Sequence, residues 1–277
     1  MRIPDLKVNH LLHQFGLQPD KRLGQNFLVA SAILERIIAA AEISNQDAVL
    51  EIGPGLGSLT RYLATHARKV VAVELDNRLL DLLEFVLASY SNVKLIQGDI
   101  LNFDPGNIMD TPGYLVVSNI PYYITSALLR HLLEAKLQPK RMVLTVQYEV
   151  ALRICAVPNK MNLLALSVQV YGKPKVITRI PAGAFYPPPK VDSAVVRIDL
   201  FQQPFIIASR LEAFFRLTKA GFGQKRKTLR NALVTGLGWT PTRVEMLLLD
   251  AGIDGRRRAE TFSLEEWARL VEVYSAP

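Results

Sequence analysis

The chain of 277 residues predicts an α/β fold: an open, mostly parallel sheet covered by helices, followed by a smaller all-helical domain. Three observations carry this. Short apolar runs alternate with segments of helical period between Ala48 and Gln147. A glycine-rich turn, Glu51-Ile52-Gly53-Pro54-Gly55-Leu56-Gly57, follows the first of those runs. Beyond Gln202-Gln203-Pro204 the strand-like runs stop and helical periodicity takes over. Hydrophobic residues make up 49% of the chain, enough for a sizeable core and too many for wholesale disorder.

Taken in order, residues 1–20 read as a loosely tied arm. Residues 31–42 predict a helix, with Ile33, Leu34, Ile37 and Ile38 on one face and Ser31 as its cap. Strands over 48–52, 69–74, 93–97, 114–118 and 141–147 alternate with helices over 58–66, 78–89 and 126–135. Short apolar strands separated by helices indicate parallel strands buried on both faces. Runs at 175–180 and 194–200, separated by Phe185-Tyr186-Pro187-Pro188-Pro189, read as a closing antiparallel pair. Helices over 209–220, 225–234, 242–251 and 263–274 follow, punctuated by Gly236, Gly238, Pro241 and Gly252. The domains therefore divide as 1–202 and 203–277.

The net charge of +8 and a pI of 9.6 favour a polyanionic partner. Its distribution says more. No acidic residue lies between Glu212 and Glu245, while Arg216, Lys219, Lys225, Arg226, Lys227, Arg230 and Arg243 do, a footprint suited to phosphates. The single cysteine, Cys155, cannot form an internal disulfide and reads as a small buried residue. No Cys/His cluster has metal spacing, so no metal is expected. No run approaches the roughly 18 apolar residues of a membrane span. The N-terminus, with Asp5, His10 and His13, lacks the apolar core of a signal peptide. A soluble cytoplasmic protein is the expectation.

Gly53, Gly55 and Gly57 let the backbone turn tightly and approach a ligand. The dinucleotide fingerprint would need a glycine at Ser58, which disfavours a nicotinamide-dependent dehydrogenase. The next strand ends at Glu74, 21 residues after Gly53, where a carboxylate can bind both hydroxyls of a ribose. Asp99, after the third strand, suits an adenine amino group. A glycine turn, a glutamate and an aspartate at three consecutive strand ends make a nucleoside pocket.

After the fourth strand comes Ser118-Asn119-Ile120-Pro121-Tyr122. Asn119 supplies an amide oxygen, Ile120 a backbone carbonyl, Pro121 a fixed turn and Tyr122 an aromatic plane. These are the groups needed to hold a flat base and accept hydrogen bonds from its exocyclic amine, with Phe185 stacking on the other face. The two signals together point to methyl transfer onto a nucleobase nitrogen, and an exocyclic base nitrogen is a poor nucleophile because its lone pair is delocalised into the ring. Two acceptors on its N–H groups favour a pyramidal nitrogen, so catalysis is mainly positioning and placed dipoles. A base in such a slot must be unstacked from its helix.

With these motifs in order, the chain resembles the RNA adenine-N6 dimethyltransferases of the small-subunit ribosomal type. The resemblance runs from Leu23-Gly24-Gln25-Asn26-Phe27-Leu28 to Phe222-Gly223-Gln224-Lys225-Arg226-Lys227-Thr228-Leu229-Arg230-Asn231, and includes Phe185 to Ser193. It implies a Rossmann-like S-adenosyl-L-methionine-dependent methyltransferase sheet. It implies Asn26, Leu28, Gly53, Glu74, Asp99 and Asn119 at the cofactor. It implies dimethylation of two adjacent adenines near the 3′ end of small-subunit rRNA, with the small ribosomal subunit as partner; no dimer seam is obvious in the sequence, so a monomer is the expectation. Lys225, Arg226, Lys227 and Arg230, with Arg153 and Lys190 as helpers, would bind phosphates. The chain departs from the family pattern at Ile120, Tyr148 and Leu164-Ala165. Isoleucine at 120 is shared with rRNA methyltransferases of the macrolide-resistance type, so large-subunit rRNA is the alternative substrate. A non-catalytic RNA-binding assembly factor on the same fold is another.

Overall fold

The computed structural model describes residues 3–109 and 111–275; Met1 and Arg2 of the expected arm lie outside them. The chain folds as two compact units, Met1–Ala151 with Lys175–Leu200, and Leu152–Pro174 with Phe201–Pro277. Its elements run in chain order α1 (Val8–Gln14), β1 (Phe27–Leu28), α2 (Ser31–Ala41), β2 (Ala48–Ile52), α3 (Ser58–His66), β3 (Lys69–Glu74) and α4 (Leu80–Leu87). Next come β4 (Val93–Gln97), α5 (Pro105–Met109), β5 (Leu115–Asn119), α6 (Thr125–Leu133), β6 (Arg141–Gln147), α7 (Tyr148–Ile154) and α8 (Leu163–Gln169). The chain closes with β7 (Gly172–Ile180), β8 (Phe185–Tyr186), β9 (Ser193–Leu200), α9 (Leu211–Phe222), α10 (Leu229–Leu237), α11 (Pro241–Asp250) and α12 (Leu264–Tyr274).

In the first unit the sheet order is β4-β3-β2-β5-β6-β9-β7, with β1 and β8 as a separate antiparallel pair. Strands β2 to β6 are parallel, and β9 runs antiparallel to β6. All of β2 is buried, as are five of the six residues of β3, as expected of central parallel strands covered on both faces. Apolar residues of α2 and α3, among them Ile37, Ile38, Leu59 and Leu63, cover one face together with Val49, Val117, Val143 and Val195. From β2 the chain builds outward through β3 and β4, then crosses to β5 on the other side of β2. This reversal of order opens a crevice at the carboxyl ends of the central strands. The β2–β5 ladder holds only Val49↔Leu115 and Leu50↔Val116. Beyond it the buried Ser118 hydroxyl takes a hydrogen bond from the Ile52 amide (3.2 Å) and donates to the Ile52 carbonyl. A side chain thus links the two strands where the crevice opens between them.

The expected arm is instead tied down. Val8, Leu11 and Leu12, at i, i+3 and i+4, form the inner face of α1 and bury against Leu79, Leu82, Leu83 and Leu87. Ser31 is the first residue of α2 and not its cap; Ala30 occupies the cap position without a side-chain bond. Cys155 is half-buried.

The second unit holds α8 to α12 and extends the expected helical domain. Residues 152–174, placed by sequence with the sheet, belong here, where α8 packs on α9. Asn162 caps α8 by accepting from the Ala165 amide (3.1 Å). Helix α10 starts at Leu229, capped by Thr228, so Lys225, Arg226 and Lys227 lie in the turn before it. Helix α12 opens with a capping box between Ser263 and Glu266. Trp267, 1% exposed, sits against Gly221 of α9, where an added Cβ would lie 2.6 Å from the indole ring. Overpacking a fully buried ring costs about 1–3 kcal/mol. Gly221→Ala is therefore expected to lower the melting temperature, and a melt identical to that of the parent chain would contradict this packing.

Candidate functional site

The crevice holds a cavity of about 220 Å³ whose walls include Asn26, Gly53, Glu74, Asp99, Asn119 and Tyr122. The positions expected at three consecutive strand ends therefore share one pocket. Gly53, Gly55 and Gly57 all have left-handed φ (69°, 59° and 77°). At Gly55 the requirement is double, because a Cβ would also stand 2.9 Å from the Phe27 ring.

Glu74 is 6% exposed. Its Oε2 accepts from the Gly55 amide (3.1 Å) and its Oε1 from the Asp76 amide (2.8 Å). The glycine turn and the carboxylate are thus fixed to each other. Burial raises the Glu74 carboxyl above its ordinary value, and the two amides act in the opposite direction. Asp99 lines the cavity and caps a short turn, its Oδ1 accepting from the Leu101 amide (3.0 Å). One oxygen fixes the loop and leaves the other for a ligand.

Residues 23–27 form a further wall. Gln25, to which the sequence reading gave no role, fastens this segment. Its Nε2 donates to Asp76 Oδ2 (2.7 Å), and its Oε1 accepts from the Asp20 amide (2.7 Å). Asp76 in turn pairs with Arg78 at 2.6 Å, and the guanidinium holds its carboxyl below the usual range. Asn26 turns its amide nitrogen onto the Gly24 carbonyl (3.0 Å), while its own carbonyl accepts from Asn119 Nδ2 (3.1 Å). That bond orients the Asn119 amide, with nitrogen toward the N-terminal segment and Oδ1 as its remaining acceptor. Ile120 and Pro121 line the same cavity, and Pro121 Cδ lies 3.7 Å from where a Cβ on Gly53 would stand. Tyr123, another wall residue missed in the sequence, is 58% exposed and stands 3.5 Å from the Cβ position of Gly24. An aromatic after the Tyr122 ring was the available signal.

Two expected site residues have buried side chains. Phe185 is 4% exposed and packs in the core with Leu28, Ile180 and Ala184, because the β1–β8 pairing Leu28↔Phe185 turns it inward. Its ring is not among the walls of this cavity. The Leu28 side chain is likewise in that core; Asn26 and Phe27, just before it, line the cavity. Leu28 borders a smaller void of about 30 Å³ shared with Glu51, Gly53 and Asn119.

Glu51 is 1% exposed, and its Oε2 has no hydrogen-bond partner among the described residues. Burial pushes its carboxyl up to about 8, and the Glu74 charge acts in the same sense. Between the ordinary carboxylate value and about 8, the folded chain keeps a proton that the unfolded chain has released, so stability falls as pH rises through that window. Glu51→Gln is expected to flatten the decline in melting temperature between about pH 5 and 8. Parallel curves for the two proteins would contradict the assignment.

In the second unit Lys225, Arg226 and Lys227 are exposed, as is Arg153; in the first unit Lys190 is exposed too. Arg230 pairs with Glu245 at 2.6 Å and donates to Asn231 Oδ1 at 3.0 Å. Fifteen Lys and Arg residues face eight Asp and Glu residues in this unit, a balance of +7 out of the chain's +8. Among the described residues no group of three His, Cys, Asp or Glu side chains could hold a metal, and no helix is long and apolar enough to cross a membrane.

The chain is matched by the family model for ribosomal RNA adenine dimethylases over residues 16–276. It is 48% identical over 271 residues to the ribosomal RNA small subunit methyltransferase A of Dehalococcoides mccartyi (strain CBDB1), covering 97% of this chain and 93% of that one. The protein of the same name from Bacillus pumilus is 41% identical, with coverage of 97% and 95%. Among solved structures, a dimethyladenosine transferase from Plasmodium falciparum aligns with a TM-score of 0.76 at 26% identity, over 88% of this chain and 95% of that one. The 23S rRNA methyltransferase ErmE aligns with a TM-score of 0.75 at 29% identity, over 91% and 100%. Motif order, fold and pocket agree with these likenesses, and the chain belongs to the ribosomal RNA adenine dimethylase family.

Proposed function

We propose that this enzyme transfers methyl groups from S-adenosyl-L-methionine to N6 of two adjacent adenines near the 3′ end of small-subunit rRNA, acting in the cytoplasm as a monomer on the small ribosomal subunit. The observation that carries this reading is the Asn26–Asn119 hydrogen bond, which leaves Asn119 Oδ1 as an acceptor on the wall of the Gly53–Glu74–Asp99 pocket. The relatives named as small-subunit methyltransferases support the choice of RNA. The solved structures do not discriminate, since ErmE and the dimethyladenosine transferase align almost equally well.

The donor set fits the cofactor: a buried carboxylate for the ribose hydroxyls, an aspartate for the adenine amine, and a glycine turn without side chains for close approach. When bound, it supplies an electrophilic methyl on a sulfonium. Asn119 Oδ1 and the Ile120 carbonyl accept the two N–H groups of the target adenine and favour a pyramidal nitrogen with its lone pair toward that methyl. Each transfer would form an N–C bond as the methyl's C–S bond breaks, leaving a neutral thioether and releasing one N–H proton to solvent; after the first, a single N–H remains, and one acceptor suffices. Tyr122 supplies a stacking face, an interaction worth about 1–3 kcal/mol per base. Asn26 orients Asn119, and Gln25 keeps the wall closed through Asp76.

The basic second unit binds phosphates and positions the RNA without choosing its sequence. Neutralising Lys225, Arg226 and Lys227 together is expected to weaken subunit binding and to flatten the salt dependence by up to about three charges, with cofactor affinity unchanged. Loss of cofactor binding in that triple variant would contradict the division of labour. The function itself is tested by incubating small subunits from cells lacking this protein with purified enzyme and labelled S-adenosylmethionine, then mapping methyl groups by mass spectrometry. Dimethyladenosine at two adjacent 3′-end positions is expected. Transfer to large-subunit rRNA instead would move the enzyme to the resistance type, and no transfer to either would leave an RNA-binding assembly factor.

A further inference from the structure

The run Pro187-Pro188-Pro189-Lys190-Val191-Asp192-Ser193 follows the buried Phe185. Its last residue points to a use for it. Ser193 opens β9, is 0% exposed, and pairs across the sheet with Gln147 at the carboxyl end of β6. That is the edge of the sheet to which β5 delivers Asn119. The Ser193 hydroxyl meets the Tyr122 hydroxyl at 2.6 Å. The backbone end of Tyr122 is fixed as well, since its carbonyl accepts from Thr125 Oγ1 at 3.1 Å. Ser193 is itself braced through its neighbour. Asp192 pairs with Arg179 (2.7 Å), its Oδ1 accepts from the Ala182 amide (3.1 Å), and its carbonyl accepts from the Tyr148 amide (2.9 Å).

A tyrosine side chain has two torsions between backbone and ring. Anchoring the phenol oxygen at one end and the main chain at the other fixes the first torsion, and with it the direction of the ring axis; the second turns about that axis without moving the oxygen. We propose that Ser193 is a positioning residue for methyl transfer: its buried hydroxyl holds the tip of Tyr122 and so fixes where the ring stands beside the target base. The inference rests on the role given to Tyr122 above. It assigns the end of the proline-rich motif a bracing function at a distance from the reacting atoms. A hydrophobic contact at Ser193 would keep the packing and lose the lock, because only a hydroxyl reaches the phenol.

The test is a double-mutant cycle on the full chain with Ser193→Ala, Tyr122→Phe and both, using small subunits that lack the modification. Each single variant removes the same bond from one side, and Tyr122→Phe keeps a stacking ring. Each is expected to lower the single-turnover rate at saturating subunit by about tenfold, since small misplacements of positioned groups cost this much or more. The double variant is expected to lose the same factor of about ten and not about a hundred, the signature of one shared interaction. Cofactor affinity and the subunit KM are expected to stay within about twofold of the parent. Multiplying effects in the double variant would overturn the proposal. So would a Ser193→Ala enzyme that melts lower but turns over at the parental rate per folded molecule. A parent enzyme that transfers no methyl to small-subunit rRNA would instead sink the reading of function, and this inference with it.

Discussion

Replacing Asn119 by alanine is expected to lower methyl transfer by about 10²–10³-fold, the usual loss when one placed dipole at a reacting centre is removed. The expectation rests on orientation. Asn119 stands at the end of β5, and its Nδ2 is spent on the Asn26 carbonyl at 3.1 Å. The amide cannot turn over without losing that bond, so Oδ1 is held as the acceptor before any substrate arrives. Asn119→Asp is expected to fare no better. A carboxylate would set an oxygen against the Asn26 carbonyl, and both groups only accept. Cofactor affinity should change little in either variant, because Gly53, Glu74 and Asp99 remain. Single-turnover rates and calorimetric cofactor titrations separate the two quantities. An Asn119→Ala enzyme with near-parental rate would remove this residue from the chemistry, and one that had lost the cofactor would make it a binding residue only.

Glu74→Ala is expected to act on the other quantity and to weaken cofactor binding by about 10²-fold, since hydrogen bonds to a charged group are worth about 1.5–3 kcal/mol each. The carboxylate is 6% exposed, and its two oxygens already accept from the Gly55 and Asp76 amides. Those bonds fix its plane and leave lone pairs for a pair of hydroxyls. Glutamine is not a conservative replacement here. Its NH₂ group, in either orientation, faces a backbone N–H, so Glu74→Gln is expected to resemble alanine. Because burial raises the Glu74 carboxyl, cofactor affinity is also expected to fall on acidification at a pH above the ordinary carboxylate range. Titrations across acidic pH with parent and Glu74→Gln check this, since the variant should lack that dependence. Equal affinity for parent and variant at neutral pH would place the ribose elsewhere.

Much of the site was legible because its determinants are local. Strands β2, β3, β4 and β6 have the bounds read from the sequence: the first three are short runs closed by a Gly or Asp turn, and β6 is an apolar run that follows Pro139. A parallel sheet then carries the residue after each strand to one edge. Gly53, Glu74, Asp99 and Asn119 therefore meet in one cavity although the chain separates them by up to 66 residues. What escaped were roles that depend on a partner distant in sequence. Gln25 is a neutral polar residue until Asp76 stands opposite it. Nothing near Phe185 in the chain marks it as buried until β8 pairs with β1. Arg230 reads as one cation in a basic run until Glu245 closes on it from α11.

The sequence by itself determined the class of fold, the order of the strands that build the pocket and the chemical groups at their ends, because period, turn chemistry and strand-end residues are properties of neighbours in the chain. Only the tertiary structure decided which face each group presents. It buried Val8, Leu11 and Leu12 where a loose arm was expected, moved residues 152–174 into the helical unit, and turned Phe185 inward while leaving Tyr122 on the pocket wall. The reason is that facing is set by pairing and packing between segments far apart in the chain, and a side chain's role follows from what it faces.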